Sequence, residues 1–61
     1  MKTITMYVES GRHITDVVAE AIQMAKRHYC IVDFEFNGEK LSASPYSIPS
    51  AMIGDYIARR P

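Results

Sequence analysis

The residues with the most chemistry in them are His13, His28 and Cys30, and His28-x-Cys30 is the spacing nearest to that of a metal site. Zinc takes three or four ligands in a fixed geometry, and no fourth ligand accompanies these three. A thiol nucleophile needs a histidine within hydrogen-bond reach and a third group to orient it. His28 falls at the end of an expected helix, and no orienting group is evident. Cys30 therefore reads as a small apolar residue opening a strand. Ser10-Gly11-Arg12 lies between a strand and a helix, where a phosphate-binding turn would lie. With one glycine and no G-x-x-x-x-G-K pattern it reads as a plain connection. The expectation is a chain without catalytic residues, metal or cofactor, and not an enzyme.

The element best defined by its letters spans residues 30 to 44. Asn37-Gly38 separates two alternating runs, and Asn-Gly is the preferred pair for a two-residue type I′ turn because both positions need positive φ. With that turn, Phe36 faces Glu39, Glu35 faces Lys40, Phe34 faces Leu41, Asp33 faces Ser42 and Val32 faces Ala43. Val32, Phe34, Phe36, Leu41 and Ala43 then share an apolar face. Ile31, Asp33, Glu35, Lys40, Ser42 and Ser44 share the other, with Glu35 and Lys40 as an opposite-charge pair. A slip of one residue would turn the rings to solvent, so the register is strongly specified.

Before the hairpin, residues 2 to 9 alternate, with Ile4, Met6 and Val8 on one side and Thr3, Thr5 and Tyr7 on the other, the period of a half-buried strand. After Ser10-Gly11, apolar residues at 14, 17, 18, 21, 22, 25 and 29 form a helical stripe of about four turns. Thr15 or Ser10 is the expected cap. Asp16 in the first turn and Lys26, Arg27 and His28 in the last complement the helix dipole. Pro45 stops the third strand, and Ser47-Ile48-Pro49-Ser50 reads as a helix entry with a serine cap and Pro49 in the first turn. Met52, Ile53, Tyr56 and Ile57 make the apolar face of this second helix, and Asp55 precedes Arg59 at the favourable i,i+4 spacing.

The order β-α-β-β-α, with both helices on one sheet face, predicts a two-layer α+β domain over residues 1 to 61. Two strand orders satisfy the letters. In the preferred one, 1-3-2, the third strand lies between the other two and all neighbours are antiparallel, as in a ferredoxin-like fold lacking its last strand. In the other, the second strand is central and parallel to the first. Antiparallel pairs are about two- to three-fold commoner, which favours the first order. That order leaves residues 2 to 8 as an unpaired edge, an invitation to pair with another chain.

A 61-residue chain buries only about 60% of the surface it exposes when unfolded. Small domains commonly add disulfides, a metal or a partner; with a single cysteine and two histidines, self-association or a binding partner is expected, including a homodimer through the first strand edge. Seven basic and seven acidic side chains balance, which argues against a footprint for nucleic acid or anionic lipid. No stretch reaches the roughly 20 apolar residues of a membrane span. The first seven residues alternate where a signal peptide would be continuously apolar, and a lone cysteine suits a reducing compartment. A cytoplasmic protein is expected.

The candidate partner-binding surface is the outer sheet face: Thr5, Tyr7, Ile31, Asp33, Glu35 and Lys40, with Tyr7 and Ile31 as anchors, since aromatic residues are enriched in binding hot spots. The alternative is a solvated face with two scattered apolar residues. Base stacking on this face, as in an RNA recognition motif, is opposed by Asp33 and Glu35, which repel phosphates. A second nucleic-acid reading uses Arg12, Lys26, Arg27, Arg59 and Arg60, most of them in last helical turns where the dipole already explains them.

In overall style, a short charge-balanced chain with a Phe-Glu-Phe-Asn-Gly hairpin and a Pro-Ser-initiated terminal helix, the sequence resembles small accessory proteins of phages and prophages. The resemblance implies a role in binding and modulating a host or phage macromolecule, and assigns no residue. Together these readings lead to an expected small interaction module acting by stoichiometric binding to another protein, with a nucleic-acid-binding regulator as the alternative.

Overall fold

In the structure, a computed structural model that describes residues 1–59, the elements follow the expected order: β1 (Thr3–Thr5), α1 (Ile14–His28), β2 (Ile31–Phe36), β3 (Glu39–Ala43) and α2 (Pro49–Arg59). The class is α+β, a three-stranded mixed sheet with two helices.

The hairpin has the expected register. Val32 lies opposite Ala43, Asp33 opposite Ser42, Phe34 opposite Leu41, Glu35 opposite Lys40 and Phe36 opposite Glu39. Asn37 has φ 50° and Gly38 φ 82°, the pair of positive values that a type I′ turn demands. The inward row forms the core with the stripe of α1: Val32, Phe34, Phe36, Leu41 and Ala43 are buried together with Val17, Val18, Ala21, Ile22, Ala25, Cys30, Met6 and Tyr56.

The strand order is β1-β2-β3, with β1 parallel to β2, so the preferred 1-3-2 order and its ferredoxin-like arrangement are corrected. The general excess of antiparallel pairs is outweighed here by the connection. A parallel crossover needs a dozen or more residues, usually a helix, and α1 supplies it between β1 and β2. The hairpin then keeps β3 beside β2. β1 remains an edge strand, as expected, but it borders β2. It is also shorter than the alternation over residues 2 to 9 suggests. Beyond Thr5 the ladder continues through the Met6 N–H, which donates to the Asp33 carbonyl at 2.8 Å.

Two expected caps are replaced. The N-cap of α1 is His13, in extended conformation and without a side-chain capping bond. Its carbonyl accepts from the Val17 N–H at 3.0 Å, and Asp16 still supplies negative charge to the first turn. At α2 the Ile48 carbonyl accepts from the Met52 N–H, which places Ile48 at the cap and Pro49 at the first helical position, where its missing N–H removes no bond. Ser47 instead folds the preceding loop: its Oγ accepts from the Ser44 N–H at 2.8 Å.

Tyr29 ends α1 in the left-handed region at φ 48°, its N–H reaching back to the Ala25 carbonyl. That turn carries its ring out of the core, to 61% exposure, although its spacing had placed it in the apolar stripe. α1 lies against β2 and β3, and α2 against β3 and α1; β1 is the strand the helices reach least. No helix among the described residues is long and apolar enough to cross a membrane.

Candidate functional site: the open sheet face

Among the described residues nothing covers the face of the sheet away from the helices, and its residues are held by the alternation of the three strands. Thr5, Tyr7, Asp33, Glu35, Lys40 and Ser42 line an open groove of about 880 Å³ that runs from β1 across β2 to β3 and the hairpin turn. Five of them were singled out from the sequence; Ser42 belongs to the same outer row. Tyr7, just past β1, is 82% exposed. Ile31 is half-buried and lies opposite Thr3 at the other end of β1. Counting from Thr3 to Tyr7 at strand spacing puts the two expected anchors roughly 13 Å apart. The groove takes in Tyr7 without Ile31.

The polar groups of this face differ in how they are engaged. Ser42 donates to Asp33 Oδ1 at 2.6 Å, which orients that carboxylate across the β2–β3 pair. Glu35 and Lys40 are register partners, yet the ion pairs among the described residues are Arg12–Glu20 and Arg59–Asp55. Glu35 and Lys40 are both exposed, and surface charges in water gain little by closing such a pair. The groove thus offers an aromatic ring, a fixed carboxylate, a second carboxylate and an ammonium group.

The remaining candidates disperse. Cys30 is buried in the core at 1% exposure, whereas His13 and His28 are exposed at opposite ends of α1. No group of three His, Cys, Asp or Glu side chains that could hold a metal ion occurs among the described residues. Of the cations considered for nucleic acid, Arg12 bonds Glu20 at 3.3 Å. Arg59 bonds Asp55 at 2.9 Å and the Lys40 carbonyl at 2.8 Å. Lys26 and Arg27 are exposed on the last turn of α1, and Arg60 lies outside the described residues.

A second apolar surface escaped the sequence reading. Tyr29 and Tyr46 meet edge-to-face with ring centroids 6.4 Å apart, and their hydroxyls share a hydrogen bond of 2.9 Å. That bond, with the charge Tyr29 would place beside it, raises the Tyr46 hydroxyl above the ordinary phenol range. Ile48 is 63% exposed nearby in sequence, and Met1, 63% exposed, precedes the Lys2 carbonyl that binds the Ile31 N–H. The tyrosine pair lies where α1 ends and β2 begins. The available signal was a tyrosine on either side of the core elements, each next to a residue that breaks the local period: the end of the stripe at 29 and Pro45.

Compared with known proteins, the chain matches no family model, no curated protein and no solved structure.

Proposed function

We propose that this chain is a small interaction module that binds another protein stoichiometrically through the open face of its sheet and thereby modulates it. The observation that carries this reading is the groove lined by Thr5, Tyr7, Asp33, Glu35, Lys40 and Ser42, with Tyr7 standing 82% exposed at its edge. A rigid aromatic side chain beside polar groups is the composition of a binding hot spot. The partner is a cytoplasmic protein of a phage or its host, in line with the style of the sequence and with a free thiol. Replacing Tyr7 with a photo-crosslinking aromatic residue tests the surface: crosslinks to the bound protein form there and do not form from the exposed Gln23 position on α1. Crosslinks from Gln23 alone would overturn the assignment.

The Tyr29–Tyr46 surface supports a second reading of the same class, in which the partner docks at the opposite end. The bonded and stacked pair is preordered, which lowers the entropic cost of binding. Crosslinking from Tyr46 separates the two.

A further inference from the structure

β1 is an open strand edge whose residues match themselves, and we propose that it pairs antiparallel with β1 of a second copy of the chain, about a twofold axis at Ile4. The ladder to β2 uses alternate residues. The Ile31 N–H donates to the Lys2 carbonyl at 2.7 Å and the Met6 N–H to the Asp33 carbonyl at 2.8 Å, while Thr3 and Thr5 lie opposite Ile31 and Asp33. In a parallel pair the backbone groups of these intervening residues point away from the neighbour. Thr3 and Thr5 are both exposed.

The two edges of the sheet differ. At β3 the Lys40 carbonyl accepts from Arg59 Nη1 at 2.8 Å, and Asp55 holds the same guanidinium at 2.9 Å, so side chains of α2 overhang that edge. Lys40 adds a charge, a common guard against edge pairing. β1 carries neither charge nor proline between Thr3 and Thr5; Lys2 flanks it with its carbonyl bonded to β2, so its charge lies at the end of the edge and not within it. One open edge and one guarded edge select a closed twofold pair over a β1-to-β3 row of subunits.

A second copy is the occupant because the strand complements itself. Antiparallel about Ile4, Thr3 of each copy exchanges backbone bonds with Thr5 of the other, and threonine pairs are favourable cross-strand neighbours. On the inner face the two Ile4 side chains meet. Ile4 is only half-buried in the single chain because the helices lie against β2 and β3, and the pairing covers it further. The two Lys2 side chains fall at opposite ends, where a parallel arrangement would set like charges side by side. Both open faces then join in one continuous sheet. This pairing uses the backbone of the edge and needs neither Tyr7 nor Glu35. Thr5 belongs to the edge and to the groove, so the mass of the single chain or its double tests the pairing and partner affinity tests the groove.

Size-exclusion chromatography with light scattering on the whole chain tests it. The expected mass is twice the 6.9 kDa of one chain, dissociating on dilution. Thr5→Pro deletes the outward N–H without touching the ladder to β2, and Thr5→Lys puts a guard charge on the edge; each is expected to give the single-chain mass with an unchanged circular dichroism spectrum. A wild-type protein of single-chain mass at every concentration up to its solubility limit overturns the proposal, as does a dimer that survives both substitutions. Should the variants fail to fold, amide exchange of the wild type decides. Thr3 and Thr5 N–H groups protected when concentrated and exchanging freely when dilute support the pairing, and unprotected amides in a sample of doubled mass contradict it.

Discussion

Asn37 shows how much one residue can join. Its positive φ forms the turn with Gly38, and its Nδ2 donates to the Tyr56 hydroxyl at 3.1 Å, tying the hairpin to α2. The Tyr56 ring in turn packs edge-to-face on Phe36 at 5.3 Å between centroids. The turn was legible because Asn-Gly encodes backbone torsions directly; the bond to Tyr56 was not, since it depends on where a distant helix comes to rest. The same distinction explains Tyr29. Spacing alone put it in the apolar stripe, but a left-handed residue at the helix end swings the ring to the surface. At Gly38 a methyl group would meet nothing within 4 Å, so the effect of a substitution there is conformational. Gly38→Ala is expected to destabilise the fold by about 1–2 kcal/mol, the cost of the left-handed region for an L-residue, read as a lower urea midpoint at unchanged slope.

Among the elements, β2 is the one on which the others depend. It pairs with both β1 and β3, and its inward row of Val32, Phe34 and Phe36 is buried. Phe34→Ala is expected to cost about 3–5 kcal/mol, against a total stability of about 3–9 kcal/mol for a chain of 61 residues. Loss of cooperative thermal unfolding checks it; near-wild-type stability would mean that the ring is outside the core. α2 allows a prediction of opposite sign. Gly54 is exposed, and a methyl group there would meet no neighbour within 4 Å. Gly54→Ala should therefore stabilise by about 0.4–1 kcal/mol through a less flexible unfolded chain, visible as a raised urea midpoint. The alternation of the hairpin and the stripe of α1 made these elements and their buried faces readable. The strand order was not, because the period of two says which face a residue takes and nothing about which neighbour its strand takes. The length of α1, compatible with a parallel crossover, was the signal that weighed more than the general rarity of such pairs. The outer face carries over from the sequence for the same reason as the core, being the other half of one alternation. The separation of Tyr7 from Ile31 comes from the register, which sets Ile31 opposite Thr3 at the far end of β1.

At the scale of the whole molecule, one layer of helices covers one face of the sheet, and the exposed aromatic residues lie at two separate places: Tyr7 beside the open face, and Tyr29 with Tyr46 where α1 ends. A balance of seven basic and seven acidic side chains leaves the molecule without net charge, so its overall charge is expected to add little long-range attraction to binding. The measurement that bears most directly on the proposed function is the affinity of the captured partner protein for wild type, Tyr7→Ala and Tyr46→Ala, with folding of each variant verified by circular dichroism. If the open face is the working surface, Tyr7→Ala weakens binding by about 30-fold or more, the loss of a hot-spot side chain worth about 2 kcal/mol, and Tyr46→Ala leaves it unchanged. Binding that is insensitive to Tyr7→Ala and abolished by Tyr46→Ala would contradict the assignment and move the site to the other end of the molecule.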